Sequence, residues 1–75
     1  MDWQLVIAST VDDCDILTSE DESHLRDEMG IRMNILTGKD FGMWQIIDLS
    51  YMSTTLYVLS DGHDFAFLML RPKEQ

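Results

Sequence analysis

The feature that most constrains this chain is an acidic segment, Asp12 to Glu28, in which eight side chains are carboxylates and only Arg26 is cationic. The segment carries −7 of the whole chain's net charge of −9. Charge at this density has to stay in water, so the acidic side chains must lie on the surface. The eight acids are Asp12, Asp13, Asp15, Glu20, Asp21, Glu22, Asp27 and Glu28.

Length and composition indicate a small folded protein. The 75 residues have room for one domain, which we place at residues 1–75. A disordered acidic tail is excluded, because 45% of the residues are hydrophobic and two Trp, two Tyr and three Phe are present. The single cysteine, Cys14, cannot form an internal disulfide, and no secretory signal or membrane-length apolar run is present. We therefore expect a soluble, cytoplasmic protein.

One helix is predicted inside the acidic segment. Ser19 and Glu22 have the spacing of a capping box, in which each side chain bonds to the other residue's amide. Gly30 can adopt the left-handed conformation that ends helices, so the helix is predicted at Glu20 to Met29. Its apolar stripe is thin, with only Leu25 and Met29, which is typical of a helix on the surface.

The rest of the chain favours β-strands. Alternating or continuous apolar residues predict strands at Trp3–Ala8, Ile31–Ile35, Met43–Leu49, Thr54–Leu59 and Phe65–Leu70. Val11 to Leu17 fits neither helix nor strand clearly. The predicted fold class is α+β, with one short acidic helix against a mainly antiparallel sheet of about five strands, in the order β-α-β-β-β-β.

The last two strands are predicted to form a hairpin. Asp61-Gly62 favours a two-residue type I′ turn that pairs Ser60 with His63 and Val58 with Phe65. Phe65–Leu70 is apolar at every position, so we expect it in the sheet interior and covered on both faces. Pro72 should end this strand, because proline cannot donate to the ladder.

The charge pattern predicts binding to a basic protein surface. Carboxylates on successive helical turns can imitate the phosphates of a nucleic acid, which carries one charge per about 1.7 Å of duplex. In size and composition the chain resembles phage inhibitors of restriction or CRISPR systems, a likeness of kind and not of motif. We expect the eight acids to occupy the basic groove of a nucleic-acid-binding protein or nuclease. Asp40, Asp48, Asp61 and Asp64 form a second candidate group, the turn cluster.

Two other functions fit the same sequence. An immunity or antitoxin-like protein would neutralise a cationic toxin through an aromatic anchor, for which Trp44, Tyr51 and Tyr57 are the candidates. A homo-oligomer, such as a homodimer, or a subunit of a complex would use apolar contacts. Six methionines and the apolar run Phe65–Leu70 favour that reading, although core packing accounts for them too.

Catalysis, cofactors and direct nucleic-acid binding are not expected. Asp12, Asp13 and Asp15 lack the glycine and distal glutamate of a calcium loop, and His63 with Asp64 makes no zinc pattern. Cys14 with His24 or His63 is the only nucleophile and base pair, but flanking carboxylates disfavour a thiolate. The five scattered cations cannot offset a net charge of −9 near phosphates.

Overall fold

The structure, a computed structural model, describes residues 1–11, 14–38 and 41–73. It contains one α-helix and five strands, which confirms the predicted α+β class and strand number. The helix follows the second strand and not the first, because part of the ambiguous stretch before it is extended. The elements are β1 (Trp3–Ser9), β2 (Asp15–Ser19), α1 (Glu22–Thr37), a 3₁₀ turn (Phe41–Met43), β3 (Gln45–Asp48), β4 (Thr55–Ser60) and β5 (Phe65–Pro72).

All five strands form one antiparallel sheet in the order β2-β1-β5-β4-β3. The last three strands are a meander, and β1 returns beside β5, so that the last strand of the chain lies at the centre. The apolar run Phe65–Leu70 is therefore in the sheet interior, as predicted. Pro72 is the last residue of β5, also as predicted.

The helix is longer than the sequence suggested. Gly30 lies inside α1, and the left-handed residue that ends the helix is Gly38, with φ of 63° and its amide directed at the carbonyls of Asn34 and Ile35. The predicted strand Ile31–Ile35 is therefore wrong. A glycine inside a helix costs only about 1 kcal/mol, whereas continuing the helix buries Leu36 on the same side as Leu25 and Met29.

The start of the helix also differs from the capping-box prediction. Asp21 is the N-cap, and its carboxylate accepts hydrogen bonds from the amides of Ser23 at 3.0 Å and His24 at 3.4 Å. Ser19 belongs to β2, where it pairs with Trp3, and its hydroxyl accepts from the Asp21 amide at 3.0 Å. Strand pairing therefore holds Ser19 two residues before the cap.

The turn between β4 and β5 is wider than the predicted two-residue hairpin. Ser60 pairs with Phe65 and Val58 with Phe67, so four residues form the loop. The Asp61 carboxylate accepts from the amides of His63 at 2.9 Å and Asp64 at 2.7 Å, and these bonds replace those of a tight turn. The register differs from the prediction by two residues, so each side chain keeps its face of the sheet.

The core lies between α1 and one face of the sheet. The helix contributes Leu25, Met29 and Leu36, which confirms the predicted pair and extends it. The sheet contributes six further buried side chains, namely Leu5, Ile7, Leu59, Ala66, Leu68 and Leu70. The prediction that Phe65–Leu70 is covered on both faces is wrong, because one helix can cover only one side and Phe65 remains 60% exposed.

Candidate functional site

The acidic segment lies on the surface around the start of the helix. Asp12 and Asp13 are outside the described residues. Asp15 lies in β2, Glu20 and Asp21 connect β2 to α1, and the helix holds the remaining three, Glu22, Asp27 and Glu28. The structure thus brings the described members of the segment to the β2–α1 connection, to the first two turns of the helix and to the strand beside it.

Three of these acids also make contacts within the protein. The Asp15 carboxylate accepts from Arg32 Nη1 at 3.1 Å, and that guanidinium is only 17% exposed. Glu22 pairs with Arg26 one helical turn later, and Asp21 caps the helix. A local sequence pattern signals the Glu22–Arg26 pair, whereas the Asp15–Arg32 pair depends on β2 and α1 lying side by side.

The other three acids make no contact of this kind. Glu20 and Asp27 are exposed and Glu28 is half-buried, and within the described part of the chain none has a hydrogen-bond or ion-pair partner. Glu20 and Asp27 are therefore fully available to a partner, while Glu28, Asp15 and Glu22 are partly exposed and contribute negative potential.

The cations near the acidic segment are engaged in the protein's own contacts. Arg26 bonds to Glu22 and donates to the Thr55 hydroxyl at 3.3 Å, and Arg32 bonds to Asp15. Arg71, at the far end of β5, donates to the Gln4 side-chain carbonyl at 2.9 and 3.1 Å. The helix side of the molecule consequently has a net negative field, with no unengaged arginine among the described residues.

The structure does not gather the turn cluster into one site. Asp40 is outside the described residues, Asp48 ends β3, and Asp61 and Asp64 flank the β4–β5 turn at the opposite end of the strand ladder. Hydrogen bonds from the Ser50 hydroxyl and amide lower the pKa of Asp48. The amides of Asp64 and His63 lower the pKa of Asp61, and Asp64 accepts from the Thr10 hydroxyl at 3.1 Å. Asp48, Asp61 and Asp64 thus accept hydrogen bonds that stabilise loop conformations, and they do not form a common binding site.

Only one of the three aromatic candidates is exposed enough to act as an anchor. Trp44 and Tyr57 are partly buried against the core, so they stabilise the fold. Tyr51 is 75% exposed in the connection between β3 and β4, where it forms two backbone hydrogen bonds with Thr54. The adjacent Met52, at φ of 53°, is 88% exposed.

The sheet face opposite the helix is an apolar surface that sequence reasoning missed. We call it the open face. Strand pairing places nine apolar side chains on it, namely Val6, Ala8, Ile16, Ile47, Leu56, Val58, Phe65, Phe67 and Met69. The sequence contains a signal for this surface, because the run Phe65–Leu70 is apolar on both faces of its strand and one predicted helix can cover only one face.

The centre of the open face is a shallow apolar depression. Its volume is about 580 Å³, and Val58, Phe65, Phe67 and Met69 are among the residues that line it. Cys14 lies at its edge and is exposed. Within the described residues, no hydrogen bond joins Cys14 to His24 or His63, and no group of three or more His, Cys, Asp or Glu side chains is placed to hold a metal ion.

Comparison with models of protein families, with curated proteins and with solved structures found no match for this chain. Among the described residues, no helix has both the length and the apolar character that crossing a membrane requires. The functional argument therefore depends on two surfaces of different chemistry, the acidic segment on the helix side and the open face on the other side of the sheet.

Proposed function

We propose that this chain is a non-catalytic binding protein whose acidic segment occupies the basic groove of a nucleic-acid-binding protein or nuclease. The observation that carries the proposal is that Glu20, Asp27 and the partly exposed Glu28 have no partner among the described residues, while the neighbouring arginines are used internally. A surface with this arrangement attracts a cationic partner and repels phosphates, so the partner is a protein and not a nucleic acid.

The arrangement supports specificity as well as attraction. The Asp15–Arg32 pair connects β2 to α1, and Asp21 fixes the first turn, so the outward carboxylates lie on an element with a defined position. A preorganised charged surface loses less conformational entropy on binding than a flexible acidic tail. The 16-residue helix is about 24 Å long, which suits a groove built to follow a nucleic-acid backbone.

Capture from a lysate of the source organism tests the proposal. The immobilised protein should retain a basic nuclease or another nucleic-acid-processing protein. The triple variant E20Q/D27N/E28Q should bind it roughly tenfold or more weakly, because three exposed charge interactions are removed. The matched control D2N/D48N/D64N makes the same change in net charge, from −9 to −6, and should bind like the parent protein.

Salt dependence gives a second test on the captured partner. Exposed charge pairs weaken as the Debye length falls from about 30 Å at 0.01 M salt to about 8 Å at 0.15 M. The affinity should fall across this range, and added duplex DNA should compete with the protein for the groove. An affinity that is the same at both salt concentrations would exclude the acidic segment as the main contact.

A second candidate function, neutralisation of a cationic toxin by an immunity or antitoxin-like protein, is favoured by the exposure of Tyr51. A large aromatic side chain beside the exposed Met52 has the character of an interface anchor. Tyr51→Ala distinguishes the two functions, since the other aromatic candidates would damage the core. If this variant abolishes binding to the captured partner while E20Q/D27N/E28Q leaves it intact, the anchor mechanism replaces the groove mechanism.

A further inference from the structure

We infer that the open face is the interface of a homodimer, in which two copies pack sheet against sheet with their helices on the outside. The interior positions of this face are apolar in all five strands, and the exposed fraction reaches 62% for Ile16, 60% for Phe65 and 52% for Ile47. A contiguous exposed apolar patch of a few hundred square ångströms is often a functional contact site. This inference does not depend on the proposed function.

The size of the face matches what a dimer requires. Strands about 4.8 Å apart and about six residues long, at about 3.3 Å per residue, give a five-stranded sheet a flat area of roughly 480 Å². Two copies together therefore bury about 1,000 Å², which is the lower limit for a biological interface and corresponds to a dimer that dissociates on dilution. A chain of 75 residues buries too little surface alone to be more than marginally stable, and a second sheet doubles its apolar core.

The distribution of charge favours a second copy over a basic partner. Among the described residues of the five strands, no acidic side chain lies on the open face, so these strands of two copies can meet without opposing like charges. The acidic segments then lie outside two sheets that are themselves about 10 Å apart. That spacing alone equals the Debye length at physiological salt, about 8–10 Å, so repulsion between the two copies is largely screened.

The ends of the open face also carry opposite charges. Arg71 lies at one end beside Gln4, whereas Asp61 and Asp64 flank the turn at the other end. A two-fold axis across the strands places the Arg71 end of each copy over the acidic turn of the other. A two-fold axis along the strands instead brings like charges together, so the antiparallel arrangement is the one we assign.

Sedimentation equilibrium of the purified chain tests the inference. The parent protein should be a dimer that dissociates on dilution. Phe67→Lys places a charge at the centre of the face and should weaken association roughly 100-fold, as expected for an interface anchor. The matched control Ile35→Lys makes the same kind of change at a residue 57% exposed on the outside of α1, and it should remain dimeric.

A second variant keeps the test decisive if Phe67→Lys fails to fold. Ile16 lies on the edge strand β2, where a lysine can reach water, so Ile16→Lys should fold as judged by circular dichroism and still weaken the dimer. A parent protein that is monomeric at about 0.5 mM would overturn the inference. So would a dimer that persists in both folded lysine variants, because the contact would then lie elsewhere. The variant E20Q/D27N/E28Q should dimerise like the parent, which separates this test from that of the proposed function.

Discussion

Leu68 and Met69 are adjacent in the central strand and similar in hydrophobicity, yet they lie on opposite faces of the sheet and differ in burial. Leu68 is fully buried under α1, whereas Met69 lies on the open face and is partly exposed. The same contrast separates Ile7 from Val6 in β1. The comparison shows that apolar character by itself does not define a core, because a side chain is buried only when another element covers it.

The largest expected effect is the difference in the free energy of unfolding between alanine substitutions at Leu68 and at Met69. Leu68→Ala should lower the free energy of unfolding by about 2–5 kcal/mol, because it leaves a cavity under the helix. Met69→Ala, measured in urea at low protein concentration, should cost less than about 1 kcal/mol, since its side chain already contacts water. Equal losses would show that the open face is covered within the single chain. A Met69→Ala loss that grows with protein concentration would agree with the homodimer.

The next effect tests what positions the helix over its face. Asp21→Ala removes the acceptor for two first-turn amides and should lower the free energy of unfolding by about 1 kcal/mol. Ser19→Ala is the comparison, because among the described residues this hydroxyl accepts a hydrogen bond only from the Asp21 amide, in the connection before the helix. Chemical denaturation measures both variants. A larger loss of unfolding free energy for Ser19→Ala than for Asp21→Ala would indicate that Ser19 caps the helix, as the sequence predicts.

A glycine pair tests where the helix ends. Gly38→Ala should lower the free energy of unfolding by about 1 kcal/mol, because alanine is strained at a φ of 63°. Gly30→Ala should raise it by about 0.5–1 kcal/mol, since the added methyl group meets no atom within 4 Å and alanine favours the helix. Opposite signs in thermal unfolding confirm a helix that runs through residue 30. A loss at Gly30 would place the helix end there.

The smallest effect concerns the turn at the acidic end of the open face. The amides of Asp64 and His63 lower the pKa of Asp61 below its usual value, so the charged form favours the folded state. This contribution is complete above the unfolded pKa and disappears as pH falls through the folded pKa. The melting temperature of the parent should therefore fall more steeply below pH 4 than that of Asp61→Asn. Asp27→Asn, on the exposed side of the helix, is the control and should follow the parent.

Much of the sheet could be predicted because each pattern is local. The strands at Trp3–Ala8, Thr54–Leu59 and Phe65–Leu70 are recognisable from β-branched and apolar runs, and proline ends the last one. The alternation of apolar residues in Ile31–Ile35 predicts a strand, but over five residues the same pattern also fits a helix. The burial of Leu36, five residues after Ile31, favours the helix over the strand. Leu36 is buried against the sheet, which is distant in sequence.

In the acidic segment too, some properties follow from the sequence and others depend on the tertiary structure. Its position on the surface follows from the charge alone, because unpaired carboxylates cannot be buried. Which members are engaged does not follow, since the Asp15–Arg32 pair joins residues 17 positions apart. The sequence therefore indicates a surface of negative charge, and the fold leaves Glu20, Asp27 and Glu28 without a partner among the described residues.

The sequence by itself determined the alternation of side chains along each strand, the α+β class and the exposure of the acids, because all three depend on spacing and solvation within short stretches. Only the tertiary structure decided which face of the sheet the helix covers, where the helix ends and which carboxylates have partners. These depend on contacts between segments distant in sequence, and the burial energy of such contacts outweighs local preferences of about 1 kcal/mol.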